Sequence, residues 1–572
     1  MNILKTLRKA FAAATPEGAD PAEFAAAVRP ANDPKFGDYQ ANGWMAVAKA
    51  RKRNPREVAH EVLGRVDLAP WADPPEVAGP GFLNVRLRDA WLADTLATLL
   101  ADEALGLVPP ERPKTVVIDY SSPNVAKPMH VGHIRSTVIG DSLARIYVAL
   151  GHRVVRDNHL GDWGSQFGMI LWGWKNHRDE AAYETNPVAE LARLYRLVQA
   201  KIKAVEPGVE DAARAETAKL HSGDAENRAL WARFMPHCLA ALEQVYERLG
   251  VRFDVQLGES SYDPMLAGIV AELEAKGLAV PSMGATVVFV EGSKAPFLVR
   301  KSDGAFNYAT TDLATIRHRD ATWHPDLVLY VVDHRQGDHF KQLFDVARRW
   351  GHDGARLEHV AFGTILGGDR RPFKTRDGDV VGLESLLDEA VAEARKVVDE
   401  NSPHLDLEER GRVAEVVGLG AIKYADLSQN RLSDYVFDWG KMLAMNGNTA
   451  TYLQYAYARI RNIFAKGEVA PEALRSSRPA ILLGHPAERG LAVALLRLPE
   501  SLELAAEEFK PNILTDHLFD LANKFSTFYD ACPVLKADSV AIRNSRLALC
   551  DLTARTLRLG LNLLGIGVVD RM

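Results

Sequence analysis

The sequence predicts an α/β protein built on a mostly parallel sheet with helices on both faces, and three observations predict it. Short apolar runs recur through the middle of the chain at Val116–Tyr120, Thr286–Val290, Leu327–Val332 and His359–Phe362, each followed by polar turns or helix starts. Strands alternating with helical stretches imply βαβ units and a parallel sheet. The run Thr115-Val-Val-Ile-Asp-Tyr120 reads as a buried strand that stops at Ser121-Ser-Pro, after which a helix with Ile134, Val138 and Leu143 on its apolar side begins near His133.

Around that core the chain divides into three blocks. Residues 1–108 show helical patterning at Trp44, Val47 and Ala48 and at Val58 and Val62, with a β-like piece, Gly81–Leu87. They read as a small α/β module closed by the break Pro109-Pro110-Glu-Arg-Pro113. Residues 114–401 carry the sheet, interrupted by a charged, Ala-rich, helical/β insertion at about 172–284. Residues 403–572 read as almost entirely helical. In Thr449–Phe464 apolar residues fall at Leu453, Ala456, Tyr457, Ile460 and Phe464, and Leu547–Leu564 has the same period.

Composition narrows the class. A chain of 572 residues is long enough for two or three domains, and 47% hydrophobic with 25% charged residues is ordinary for a globular enzyme. No apolar run approaches the ~18 residues of a membrane span, and the amphipathic start Met1–Lys9 lacks a signal-peptide cleavage region. Cys238, Cys532 and Cys550 are scattered, which argues for a reducing cytoplasm and against structural zinc. A net charge of −6 gives no global nucleic-acid footprint, but local basic stripes suffice for RNA.

The chemistry is concentrated in Ser121-Ser-Pro-Asn-Val-Ala-Lys-Pro-Met-His130-Val-Gly-His133. A strand-to-helix turn is where phosphates meet helix N-terminal N–H groups. The glycine pattern fits neither a dinucleotide fold nor a P-loop. Instead Gly132 permits close backbone approach and two imidazoles can donate to a phosphate. The same i, i+3 pair would suit half a metal site, but no Cys or third His stands near with ligand spacing. The segment resembles the HIGH motif of class I aminoacyl-tRNA synthetases and related nucleotidyltransferases. That resemblance implies a Rossmann-like catalytic domain and assigns ATP to His130, Gly132, His133 and His339, with Lys127 reaching the same oxygens. Arg371-Pro-Phe-Lys374-Thr375 looks like a divergent KMSKS loop, in which Arg371 departs from the pattern and Lys374 and Thr375 match it.

Longer stretches sharpen the resemblance to arginyl-tRNA synthetases: Asn158–Gly164 with Gln166-Phe-Gly168, Tyr308-Ala-Thr-Thr-Asp312-Leu-Ala, Val332–Gln336, Gly447–Ala450 with Tyr452–Tyr455, and Asp570-Arg-Met572. A guanidinium needs carboxylates in a bidentate arrangement with further acceptors, and Tyr308 and Asp312 lie four apart on one face of an expected helix. The resemblance implies that Tyr308, Asp312 and Gln336 hold the arginine side chain and that Asp119 and Asn124 hold its amino and carboxylate end. Taken singly, Asp312 is equally a helix-surface charge, Tyr308 a core aromatic, Asp119 a strand-end turn residue and Lys127 an exposed loop lysine.

The helical block resembles the family's anticodon-binding domain, with Arg431, Tyr455, Arg459 and Met572 as its tRNA contacts. Phe36, Tyr39, Gln40 and Asn42 resemble the N-terminal module that touches the tRNA's outer corner; a simple turn before a helix is the other reading. The implied partners are arginine tRNA, L-arginine and ATP with Mg²⁺, with no permanent metal, no membrane, and a cytoplasmic monomer that activates arginine only with tRNA bound. Two rivals share the phosphate chemistry or the tRNA binding: a small-molecule adenylating ligase, and a catalytically silent tRNA-binding paralogue.

Overall fold

The computed structural model describes residues 2–125, 127–371, 373 and 381–572. They form two compact units, one of Pro109–Leu443 with Leu563–Ile566, the other of the first 108 residues with Ala444–Asn562 and Gly567–Met572.

A five-stranded sheet organises the first unit. Its strands are β1 (Thr115–Asp119), β2 (Arg153–Leu160), β3 (Val255–Gly258), β4 (Leu327–Tyr330) and β5 (Arg356–His359), in the order β5-β4-β1-β2-β3. All four pairings are parallel. In central β1, Val116, Val117 and Ile118 are wholly buried, because a strand covered by helices on both faces has no solvated side. The chain runs outward from β1 through β2 and β3, then returns to lay β4 and β5 on the other side. That reversal opens a crevice at the carboxyl ends of β1 and β4, the place where open α/β sheets bind ligands.

Three helices frame the crevice: α1 (Val131–Ala149), α2 (Tyr308–Trp323) and α3 (Gly337–Trp350). Helix α1 is covered on nearly every side, burying Arg135, Ser136, Thr137, Asp141 and Ser142 as well as its apolar residues. It approaches the end of β1 so closely that a Cβ on Gly140 would stand 2.2 Å from the Tyr120 ring. Two further helices, α4 (Leu383–Asn401) and α5 (Leu407–Leu427), pack against each other in the same unit.

Several expectations are corrected. The strand Arg153–Leu160 was not among those expected, and Val255–Gly258 belongs to the parallel sheet although it lies inside the expected insertion. The inserted helices are Glu180–Thr185, Pro187–Lys203, Val209–Ser222 and Ala225–Leu249. Ala285–Val288 is in a separate three-stranded antiparallel sheet with Ala279–Ser282 and Phe297–Arg300. The expected break at 401–403 is the turn of the α4–α5 hairpin, and the units divide between Leu443 and Ala444. Proline marked a helix end there, not a domain end.

The second unit combines a four-stranded antiparallel sheet (Val28–Pro30, Tyr39–Ala41, Phe82–Val85 and Glu76–Ala78, in that order) with the helices of Ala450–Leu563. Arg489 ties the two parts together. Its guanidinium donates to both Asp38 oxygens at 2.9 and 2.8 Å, to Asp89 at 2.6 Å and to the Leu87 carbonyl at 2.9 Å. Among the described residues no helix is long and apolar enough to cross a membrane.

The contact at Gly140 gives a direct test of the first unit's packing. Gly140→Ala should lower stability by ~1–3 kcal/mol, the cost of forcing extra atoms into a filled core, seen as a lower midpoint in urea unfolding. A midpoint equal to wild type would mean that α1 can draw away from Tyr120 freely.

Candidate active site

The site begins with two unsatisfied donors at the start of α1. A helix leaves its first N–H groups without intrahelical partners, and here imidazoles accept them. His130 Nδ1 accepts from the Gly132 N–H at 3.1 Å, and His133 Nδ1 accepts from the His130 N–H at 3.0 Å. A nitrogen that accepts carries no hydrogen, so each neutral ring holds its proton on Nε2. The rings lie 3.9 Å apart, centroid to centroid. Burial pushes the pKa of both down, His133 to about 3, with the Lys127 charge acting in the same direction. Both rings are therefore neutral N–H donors at ordinary pH. Lys127 holds its ammonium 4.5 Å from the Tyr195 ring centroid.

The turn into this helix is held under strain. Ser121 and Ser122 have φ of 67° and 45°, a region costly for residues with a Cβ. Side chains hold it: the Ser121 N–H donates to Ser136 Oγ at 2.9 Å, the Ser122 N–H to Asn158 Oδ1 at 3.1 Å, and Ser121 Oγ meets the Tyr246 hydroxyl at 2.8 Å. Exposed Asn124 follows, its Oδ1 accepting from Gln166 Nε2 at 2.8 Å. A side chain on Gly161 would collide with it at 2.3 Å, so that glycine is required by the close approach.

An acidic face stands across the crevice. Tyr308 and Asp312 occupy successive turns at the start of α2, with Tyr308 60% exposed. His339 Nε2 lies 2.6 Å from Asp312 Oδ2 and its ring meets that of Tyr308 edge-on at 4.9 Å. The residue that the resemblance gave to ATP thus contacts the carboxylate expected to bind arginine. Gln336 is exposed just before α3. Asp119 accepts from Ser122 Oγ at 2.7 Å and from Arg319 at 2.7 Å.

Several groups here escaped the sequence reading. Glu259, after β3, has its pKa raised by burial and by the fields of Asp162 and Asp312 against the opposing pull of His159, and it accepts from the Trp163 N–H. Asp162 accepts from the Ser260 N–H at 2.9 Å and its hydroxyl at 2.6 Å. Arg319 and Asp157 form a buried ion pair at 2.8 Å. Their common signal is position: Asp162 follows β2, Glu259 follows β3 and Asp157 lies within β2, and neither strand was recognised.

Lys374 and Thr375 lie outside the described residues. Before them, Arg371 sits in an exposed turn whose N–H donates to Asp369 at 3.0 Å.

Of the residues expected to meet tRNA, Tyr39 and Arg431 lie elsewhere than expected. Tyr39 is fully buried, its hydroxyl donating to Glu500 at 2.9 Å beneath Arg497, so it belongs to the core of its unit. Arg431 lies in the unit of the parallel sheet and donates to the Ala361 carbonyl. Phe36 and Tyr455 are 39% and 38% exposed. Gln40 donates to Asn84 at 2.8 Å, Asn42 and Met572 are half-buried, and the Arg459 guanidinium lies 4.1 Å from the Tyr529 ring centroid.

Family models identify the lineage of this arrangement. The catalytic domain of class I tRNA synthetases (R) matches residues 95–439, the arginyl tRNA synthetase N terminal domain 1–87 and the DALR anticodon binding domain 453–572. Arginine–tRNA ligases from Rhodopirellula baltica and Salmonella arizonae are 44% and 45% identical, over 96% and 100% of this chain and 97% and 100% of their own. The chain belongs to the class I arginyl-tRNA synthetases. It uses ATP to charge tRNA with arginine. Solved arginyl-tRNA synthetases share the whole fold: that of Plasmodium falciparum has a TM-score of 0.84 at 27% identity, covering 100% of this chain and 99% of its own. That of Thermus thermophilus has 0.83 at 26%, covering 100% of both.

In this synthetase the neutral donor at His133 is testable. His133→Ala should lower kcat of amino-acid activation by ~10²-fold, the usual cost of one lost transition-state donor, with the arginine KM nearly unchanged. Its folded pKa is depressed, so the unfolded chain takes the proton first as pH falls. Wild-type stability should therefore fall more steeply than the variant's from about pH 6.5 toward 3. Equal activity of a folded variant would remove His133 from the phosphate site.

Proposed function

We infer that this enzyme proceeds through an arginyl-adenylate. The arginine carboxylate attacks the α-phosphate of ATP, pyrophosphate leaves, and the arginyl group then passes to the terminal ribose of arginine tRNA. The observation that carries this reading is the pair of imidazoles whose Nδ1 atoms are capped by backbone N–H groups, so that two neutral Nε2–H donors remain. Donors fixed before the reaction stabilise charge that grows on phosphate oxygens without reorganisation. Lys127 adds a positive charge close to them, and Lys374 and Thr375 act on the leaving pyrophosphate. ATP binds as its magnesium complex, with Mg²⁺ belonging to the substrate.

The guanidinium lies against Asp312, Tyr308 and Gln336, with Glu259 as a second carboxylate. A planar fork is satisfied by two acceptors better than by one, and lysine, a point charge, leaves such a site partly unpaired. Asp119 and Asn124 take the amino and carboxylate end. His339 acts on this side, by holding Asp312. The first 108 residues and the C-terminal helices contact tRNA, with Phe36, Gln40, Asn42, Tyr455, Arg459 and Met572 as contacts: exposed rings can stack unpaired bases and arginines can hold phosphates. The enzyme acts in the cytoplasm as a monomer, and tRNA is needed for activation.

Aminoacylation of unfractionated tRNA with each amino acid in turn should give product with arginine alone, and ATP–pyrophosphate exchange should require tRNA. Asp312→Asn should raise the arginine KM by ~10-fold or more while leaving that of ATP near wild type, since a charge-assisted partner is worth about twice a neutral one. Equal effects on both would place Asp312 outside the pocket.

A further inference from the structure

A cluster of buried charge in the catalytic unit lies behind the proposed arginine pocket. Arg319 is completely buried on α2. Its guanidinium donates to Asp119 Oδ2 at 2.7 Å and, through Nε, to Asp157 Oδ2 at 3.0 Å. Asp119, which ends β1, and Asp157, inside β2, are register partners. Neighbouring strands are ~4.8 Å apart, so two carboxylates stand side by side there, an arrangement that repels without a cation between them. The guanidinium also stands 5.2 Å from the ring of Tyr330, which ends β4 and pairs with Asp119 from the other side. One buried arginine thus touches three adjacent strands.

As a device for stability this arrangement is poor. Arg319 Nη1 and Asp157 Oδ1 are buried with no hydrogen-bond partner, and an apolar cluster of equal volume often serves a core as well as a buried ion pair. Its geometry serves another purpose. Tyr308, Asp312 and Arg319 lie at intervals of four and seven residues on α2, and so on one stripe of a rigid helix. Seven residues span ~10 Å along a helix axis. The bond from Arg319 to Asp119 therefore fixes how far along its axis α2 stands relative to β1. The same helix presents Asp312 to the substrate guanidinium, and the same Asp119 faces its amino end.

We propose that Arg319 is a positioning residue that sets the length of the amino-acid pocket, and through it the selection of arginine over homologues one methylene longer or shorter. The inference rests on the placement of arginine between Asp119 and Asp312 given above. A lysine in its place keeps the charge but cannot hold two carboxylates in one plane.

The test compares kcat/KM for tRNA charging with L-arginine, L-homoarginine and 2-amino-4-guanidinobutanoate, at saturating tRNA and ATP. One methylene ordinarily discriminates by about 10- to 200-fold. In Arg319→Lys the preference for arginine should shrink by ~10-fold, mainly through a higher arginine KM, with the ATP KM unchanged. A destabilised enzyme lowers all rates together and leaves the ratio between substrates intact, so the ratio reports position and not folding. Should Arg319→Lys fail to fold, Asp157→Asn keeps the volume, leaves Arg319 a neutral acceptor in place of a carboxylate on that side, and should compress the ratio by ~3-fold or more. An unchanged ratio in whichever variant charges tRNA overturns the proposal. Asp312→Asn, assayed alongside, separates the two readings. If it leaves the arginine KM unchanged, the pocket assignment itself fails. If it raises that KM while the discrimination ratio holds in Arg319→Lys, only the role of Arg319 fails.

Discussion

The start of α1 is the constraint on which the catalytic unit depends. The N–H groups of Gly132 and His130 have no partner within the helix, and the two imidazoles accept them. That choice fixes tautomer, ring direction and charge together. A ring protonated on Nδ1 would lose the cap, and an imidazolium would lose it too, so the helix geometry itself keeps both rings neutral with Nε2–H outward. Desolvation acts in the same sense and is the largest influence on His133. The positive end of the helix dipole adds to it. The bonds that start the helix therefore hold two oriented, neutral N–H donors side by side.

Across the crevice the balance is reversed. Glu259 has its pKa raised because burial and the neighbouring Asp162 and Asp312 together outweigh the attraction of His159. An acidic pocket that repels itself when empty is relieved by a cationic ligand, and the relief is larger in a half-buried site than in water because the effective dielectric is lower. A guanidinium carries its charge at any pH of interest, so it supplies that relief without a proton transfer. Burial strips hydration from the guanidinium too, so the gain comes from its pairing with carboxylates and not from desolvation itself.

Much of this was legible where function is carried by contiguous residues. The turn from β1 into α1, the helix bearing Tyr308 and Asp312, and the periodic helices after Ala450 were all marked by local pattern. What was missed depends on contacts distant in sequence. The strand Arg153–Leu160 carries Arg153, Arg156, Asp157 and His159, too polar to be recognised as a strand. Arg319 gave no local sign that it would reach strands 162 and 200 residues away. Tyr39 sat in a motif that suggests a base-stacking ring, yet its hydroxyl meets Glu500, a partner 461 residues on. Arg431 was grouped with helices that follow it in sequence, whereas its carbonyl accepts from the Gly363 N–H at 2.8 Å within the sheet's own unit.

Those carbonyls lead to a last consequence for the site. Arg135, buried on α1, pairs with Asp426 at 3.0 Å and donates to the carbonyls of Ser433 at 3.0 Å and Arg431 at 3.3 Å. The segment it holds continues into Tyr435–Val436, which pairs in parallel with Ile365–Leu366, and Phe437 stacks on Phe373 at 4.7 Å. On the other side, the Val131 N–H donates to the Val381 carbonyl at 3.0 Å and the Leu383 N–H to the Met129 carbonyl at 2.9 Å. The chain on either side of residues 374–380 is thus anchored to the helix that carries His133 and to the segment that carries His130. In the proposed reaction both sequence-distant elements would act on ATP, and donors that must move into place lose much of their effect. Both flanking attachments run through α1 and the residues just before it. Arg135 ties the Arg431–Ser433 segment to α1, as Arg319 ties α2 to β1 and β2.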